Sequence, residues 1–82
     1  MNDPHPRDLG EQPLGPLLAA LGLEPADLVR ASAEGLTFKQ VGRAVRGRRL
    51  TANMMGKVER ALAAAAGRAF AREQLFDYEP LP

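Results

Sequence analysis

Lys39, Arg43 and Arg46 recur at intervals of four and three residues. On a helix that spacing gathers them within about 60° of arc. Arg48 and Arg49 follow directly, and Lys57 and Arg60 come shortly after. Residues 36–60 thus hold seven basic side chains against one acid, Glu59, a net charge of +6. Residues 1–35 carry −4 and residues 61–82 carry −1, so the chain's total of +1 conceals a strong polarity. A basic stretch between acidic flanks offers one chemistry above all: attraction to a polyanion, with a nucleic-acid backbone first among the candidates. The competing reading is a solvated, arginine-rich helix face.

No other chemistry assembles from the residue types. The chain carries no GxxxxGK[ST] phosphate loop, no HExxH and no GxSxG. Its carboxylates are scattered, with no two placed around a substrate. Ser32, Thr37 and Thr51 have no histidine near them in sequence, and the last two read as helix caps. The single histidine, His5, sits between Pro4 and Pro6 and is expected to be exposed and idle. The absence of cysteine excludes disulfides and zinc–cysteine sites. No enzyme activity, cofactor or metal is expected. No apolar run approaches the roughly 20 residues of a membrane span. The first residues lack the regions of a signal peptide, so a cytoplasmic protein is the expectation.

The elements that must position the cations read as follows. Eighty-two residues make one domain with a small core. Residues 1–12, polar and broken by Pro4 and Pro6, read as a flexible arm. Pro13 and Pro16, then Leu17, Leu18 and Leu21, predict a first helix over about 14–21, stopped by Gly22. A second helix opens at Glu24-Pro25, with Asp27 in its first turn and Leu28 and Val29 inward. Gly35 is its expected end.

Thr37 predicts a cap for a third helix over about 38–46, with Val41, Ala44 and Val45 on one side and the cations on another. Gly42 lies between Phe38 and the basic stripe, at a propensity cost of about 1 kcal/mol against alanine. Gly47 stops this helix. Thr51 caps a fourth, with Met54, Met55, Val58, Ala61, Leu62 and Ala65 apolar. Beyond Gly67, residues 68–78 are expected to continue helically, and residues 80–82 form a tail. Arg60, Arg68 and Arg72 are expected to lie along the helix surface. Phe70, Leu75, Phe76 and Tyr78 either close the monomer core or form a dimer patch. A homodimer through residues about 66–79 is expected, since the core is small.

A short bracing helix, a turn, and a second helix with an apolar inner face and long polar outer side chains are the parts of a DNA-reading helix-turn-helix. Residues 24–47 provide them, Gly47-Arg48-Arg49 supply a loop suited to phosphate, and Thr51–Asn53 present a helix N-terminus. The runs GLEPADLVRAS, LTFKQVGRAVRGRRLT and KVERAL resemble the Cro/repressor-type, or xenobiotic-response-element, helix-turn-helix family over residues 14–66. Gly22-Leu23 and Asp27-Leu28 match that family's opening of helix two. Thr37 matches its cap, Val41 and Ala44 its inward pair, and Gly47 its glycine after the recognition helix. Lys57, Ala61 and Leu62 match the end of its fourth helix. The segment Ala33–Leu36 is about two residues longer than the usual turn. Val45, expected to be buried, stands where the family often has glutamate. Phe38 replaces a commonly polar side chain: it either touches a thymine methyl or completes the core, and the core is the favoured expectation.

The resemblance implies an all-α, four- or five-helix repressor-like domain over residues 13–79, with residues 38–46 as recognition helix. It implies base contacts from Phe38, Lys39 and Arg43, and phosphate contacts from Arg46, Arg48, Arg49 and Asn53. The implied partner is double-stranded DNA and the implied role a small transcriptional regulator, a phage-like or antitoxin-like repressor without a ligand-sensing domain. The alternative is a helical protein-interaction module that has kept such a fold and lost DNA binding. A non-specific RNA or nucleoid binder is a third reading, disfavoured for single strands by the lack of stacking aromatics.

Overall fold

The computed structural model describes residues 9–81. Among them stand four α-helices: α1 (Leu14–Leu21), α2 (Pro25–Ala31), α3 (Phe38–Arg46) and α4 (Ala52–Ala66). A 3₁₀ turn at Arg72–Gln74 follows, and the described residues form no strand beyond an isolated parallel bridge between Thr51 and Leu81. The protein is therefore all-α. No described helix is long and apolar enough to cross a membrane.

Local chemistry sets most of the helix ends. The N–H of Glu24 donates to the Asp27 carboxylate at 2.7 Å, and Pro25, the first helical residue, has no N–H to leave unsatisfied. That backbone donor, with Arg30 beside it, holds the Asp27 carboxyl below its ordinary pKa. Thr37 and Gln40 cap each other, Gln40 N–H to Thr37 Oγ1 at 3.1 Å and Thr37 N–H to Gln40 Oε1 at 3.0 Å. Thr51 Oγ1 accepts from the N–H of Met54 at 3.2 Å. Gly22, Gly47 and Gly67 end α1, α3 and α4 in the left-handed conformation.

Two boundaries differ from expectation. Helix α2 stops at Ala31, before Gly35. The Ser32 hydroxyl accepts from the N–H groups of Glu34 and Leu36, which folds the chain into a turn that a continuing helix would not allow. Gly35 serves that turn, at φ +72. The second difference is larger: residues 68–78 do not continue α4. Phe70, Leu75 and Phe76 point in three directions around a helix, about 140° and 240° apart from the first. A helix there would leave at least one of them in water. Leaving α4 at Gly67 and wrapping back buries all three in the monomer.

The core gathers Leu14 and Leu18 of α1, Leu28 of α2, Val41 and Ala44 of α3, and Met55, Val58 and Leu62 of α4, closed by Phe70, Leu75 and Phe76. Helix α2 packs against α4 and α3, and α1 against α3. Phe70, Leu75 and Phe76, three of the four apolar side chains behind the expected dimer patch over residues 66–79, instead close the core of the monomer. Val45 is half-buried rather than buried. It rests over α1, where a Cβ on Gly15 would stand 3.2 Å from its Cγ1.

The expected arm divides. Residues 1–8, with His5, lie outside the described residues. Residues 9–12 are bound to the end of α3: Leu9 N–H donates to Gly47 O at 2.8 Å and Gln12 N–H to Val45 O at 3.2 Å. The Gln12 side chain is buried, donating to Gly10 O at 3.0 Å and accepting from Asp77 N–H at 2.9 Å.

Candidate nucleic-acid interface

Helix α3 presents two unlike sides. Val41 and Ala44 are fully buried beneath it, whereas Phe38, Lys39, Arg43 and Arg46 are exposed above. The capping pair Thr37–Gln40 fixes the start of this helix and Gly47 fixes its end, so the spacing of the cations is a property of a regular nine-residue segment. The Arg46 side chain runs back along the helix. A Cβ on Gly42 would stand 3.1 Å from its Nη1, so the guanidinium fills the space the glycine leaves open. Gly42 thus makes room for one of the protein's own cations.

The charge of the basic stretch is shared out by the fold. Arg60 is paired with Glu34 through two hydrogen bonds of 2.6 and 2.8 Å, joining α4 to the turn after α2. That guanidinium holds the Glu34 carboxyl below its ordinary range. Farther along, Arg72 pairs with Glu59, and Arg68 lies over the Phe70 ring at 4.2 Å. Lys39, Arg43, Arg46, Arg48, Arg49 and Lys57 have no ion-pair partner among the described residues. Five of these cations stand on α3 and the following loop; the sixth, Lys57, lies on α4 near enough to Glu34 to help hold its carboxyl down.

The loop Gly47–Thr51 carries Arg48 and Arg49 and is held from two sides. Arg48 N–H donates to Arg43 O at 3.0 Å. The Tyr78 hydroxyl accepts from Leu50 N–H and donates to Arg48 O, both at 3.1 Å. Leu81 N–H donates to Leu50 O at 2.9 Å. Arg48 is exposed; Arg49 is half-buried, its guanidinium 5.8 Å from the centre of the Tyr78 ring. The Arg49 Nε is buried without a hydrogen-bond partner among the described residues. Burial raises the Tyr78 pKa above its ordinary value, against the opposing hydrogen bond from Leu50 and the nearby Arg49 charge. Asn53 is exposed in the first turn of α4.

Of the side chains singled out in the sequence, Lys39, Arg43, Arg46, Arg48 and Asn53 are exposed, and Arg49 is only partly so. Phe38 departs from the favoured expectation. It is 62% exposed, the one large hydrophobic side chain so exposed among the described residues. The first residue of α3 lies at the edge of the helix, and Val45, about 20° away in projection, takes the inward place. Two residues that shape this region went unnoticed in the sequence. The sequence places Tyr78 in a helix, as an apolar member of the core or of a dimer patch, and Gln12 in the arm; neither reading gives the Tyr78 hydroxyl or the Gln12 amide a role. The angular scatter of residues 70, 75, 76 and 78 would have argued against that helix. Nothing local marks Gln12.

The described residues form no pocket, and no group of three or more His, Cys, Asp or Glu among them could hold a metal ion. Compared with known proteins, the chain matches no family model, no curated protein and no solved structure.

Proposed function

We propose that this protein binds double-stranded DNA through α3, as a small transcriptional regulator of the repressor kind. The observation that carries the reading is the two-sided helix: Lys39, Arg43 and Arg46 exposed above, without an ion-pair partner among the described residues, and fully buried Val41 and Ala44 below. A groove-reading helix needs this division, since its inner face must anchor it to the domain while its outer face meets base edges. Lys39 and Arg43 contact bases, together with Phe38. Arg46, Arg48, Arg49 and Asn53 contact phosphates. The resemblance to the Cro/repressor helix-turn-helix family supports the same assignment, with α2 as the bracing helix and the six-residue connection Ser32–Thr37 as an enlarged turn.

The test is selection of duplexes from a random pool, followed by binding isotherms at several salt concentrations. A preferred sequence should emerge. Each phosphate neutralised contributes a slope of about −0.9 to log K against log salt, so Arg46, Arg48 and Arg49 alone give roughly −3. A protein that binds no duplex at low salt sinks the reading.

The second reading is a protein-interaction module, and the exposure of Phe38 favours it. Such a module would bind duplexes weakly and without sequence preference.

A further inference from the structure

A single exposed apolar side chain on a protein surface requires no explanation by itself. The position of Phe38 does. It is the first residue of α3, its backbone set by the Thr37–Gln40 capping pair. It stands 62% exposed beside Lys39, one turn before Gly42 and the guanidinium of Arg46 that lies over it. The cations around it have no ionic partner among the described residues. A protein partner seeking an apolar anchor would meet Phe38 next to Lys39, with only half-buried Val45 as an apolar neighbour along that side of α3. A polyanion suits the cations, and the floor of the major groove offers one apolar group to a ring presented there: the methyl on C5 of thymine.

We infer that Phe38 reads a thymine, by packing its ring on that methyl. This rests on the duplex-binding reading above and adds to it the base feature that Phe38 recognises. The geometry divides the work on α3. Phe38 and Arg43 are five residues apart, about 7.5 Å along the helix axis and about 140° around it, so they meet different groups of the duplex. Arg43 supplies the guanidinium that pairs with guanine O6 and N7, while Phe38 supplies an apolar contact that no hydrogen bond can imitate.

The experiment takes the duplex selected by the full-length protein and replaces its thymines with deoxyuridine, one at a time. Deoxyuridine pairs with adenine as thymine does and lacks only the methyl. One position per bound domain should weaken about fourfold, the factor carried by one buried methyl or methylene group. Phe38→Ala should bind the thymine and deoxyuridine duplexes equally, and should melt with the wild type because its side chain is exposed. The inference is overturned if no thymine matters, or if Phe38→Ala keeps the same sensitivity as the wild type. Failure of the underlying reading looks different: the wild type then selects no duplex at all, and the inference falls with it.

Discussion

The hydroxyl of Tyr78 accepts the N–H of Leu50 at 3.1 Å, across 28 positions of sequence. The same oxygen donates to the carbonyl of Arg48, so one side chain from beyond the 3₁₀ turn spans the loop between α3 and α4. Tyr78→Phe keeps the ring and removes both bonds. An unsatisfied buried donor costs about 1–3 kcal/mol. The variant should therefore melt roughly 4–24 °C lower, since 1 kcal/mol shifts a domain of this size by about 4–8 °C. At 25 °C it should bind preferred and random duplexes more weakly by similar factors, because Arg48 and Arg49 lose their support while α3 does not. An unchanged affinity would limit Tyr78 to a role in stability.

The same group gives a pH dependence of known sign. Burial raises the folded-state pKa of Tyr78. The stabilisation is then complete below the unfolded value, about 10, and is lost as pH rises through the higher folded value. Wild-type stability should fall at alkaline pH beyond about 10. Tyr78→Phe should show a flatter alkaline limb. Urea titrations across that range measure both.

Gly47 and Gly10 touch through their backbones. A Cβ on Gly47 would stand 1.8 Å from the Gly10 carbonyl oxygen, and Gly47 has φ +90. Gly47→Ala thus meets both a left-handed backbone and a rigid obstacle, and should lose on the order of 3 kcal/mol. Gly42→Ala meets only the movable end of Arg46 and should gain up to about 1 kcal/mol from helix propensity. Thermal melts of the two variants should move in opposite directions.

Leu75→Asp separates a core role from a dimer role. Leu75 is fully buried within the monomer, and its carbonyl accepts the N–H of Leu14 at 3.1 Å. A carboxylate placed there has no partner, a change in the class that exceeds about 4 kcal/mol. Circular dichroism should show extensive unfolding. A folded variant that merely sediments as a smaller species would restore the dimer interface to residues 66–79.

Arg43 and Arg48 should fail differently. Arg43 projects from α3 and is assigned to guanine, so Arg43→Ala should weaken the preferred duplex by about 1–3 kcal/mol and random duplexes much less. Arg48 lies beyond Gly47, in the loop. Arg48→Ala should weaken both duplexes alike and reduce the salt slope by about one. Identical behaviour of the two variants would remove α3 from the role of recognition helix.

The helices themselves were legible because their signals are short-ranged. Thr37 caps Gln40 and Thr51 caps Met54, each three residues away, and Gly22, Gly47 and Gly67 turn the chain by their own backbone freedom. The basic face of α3 was legible for the same reason, since 100° per residue relates Lys39, Arg43 and Arg46 without any knowledge of neighbours. Tertiary structure alone decided which of those charges stay unpaired. Arg60 meets Glu34 across 26 positions and leaves the cationic set, and no local pattern announces that. It alone decided that Phe38 stands in water and that Val45, placed inward by its spacing, is only half covered, because both depend on where α1 lies. It also decided that residues 68–81 wrap the domain: Gln12 meets Asp77 across 65 positions and Tyr78 meets Leu50 across 28. Contacts of that range arise from packing the whole chain around one small core, and local residue order encodes them only through the fold it produces.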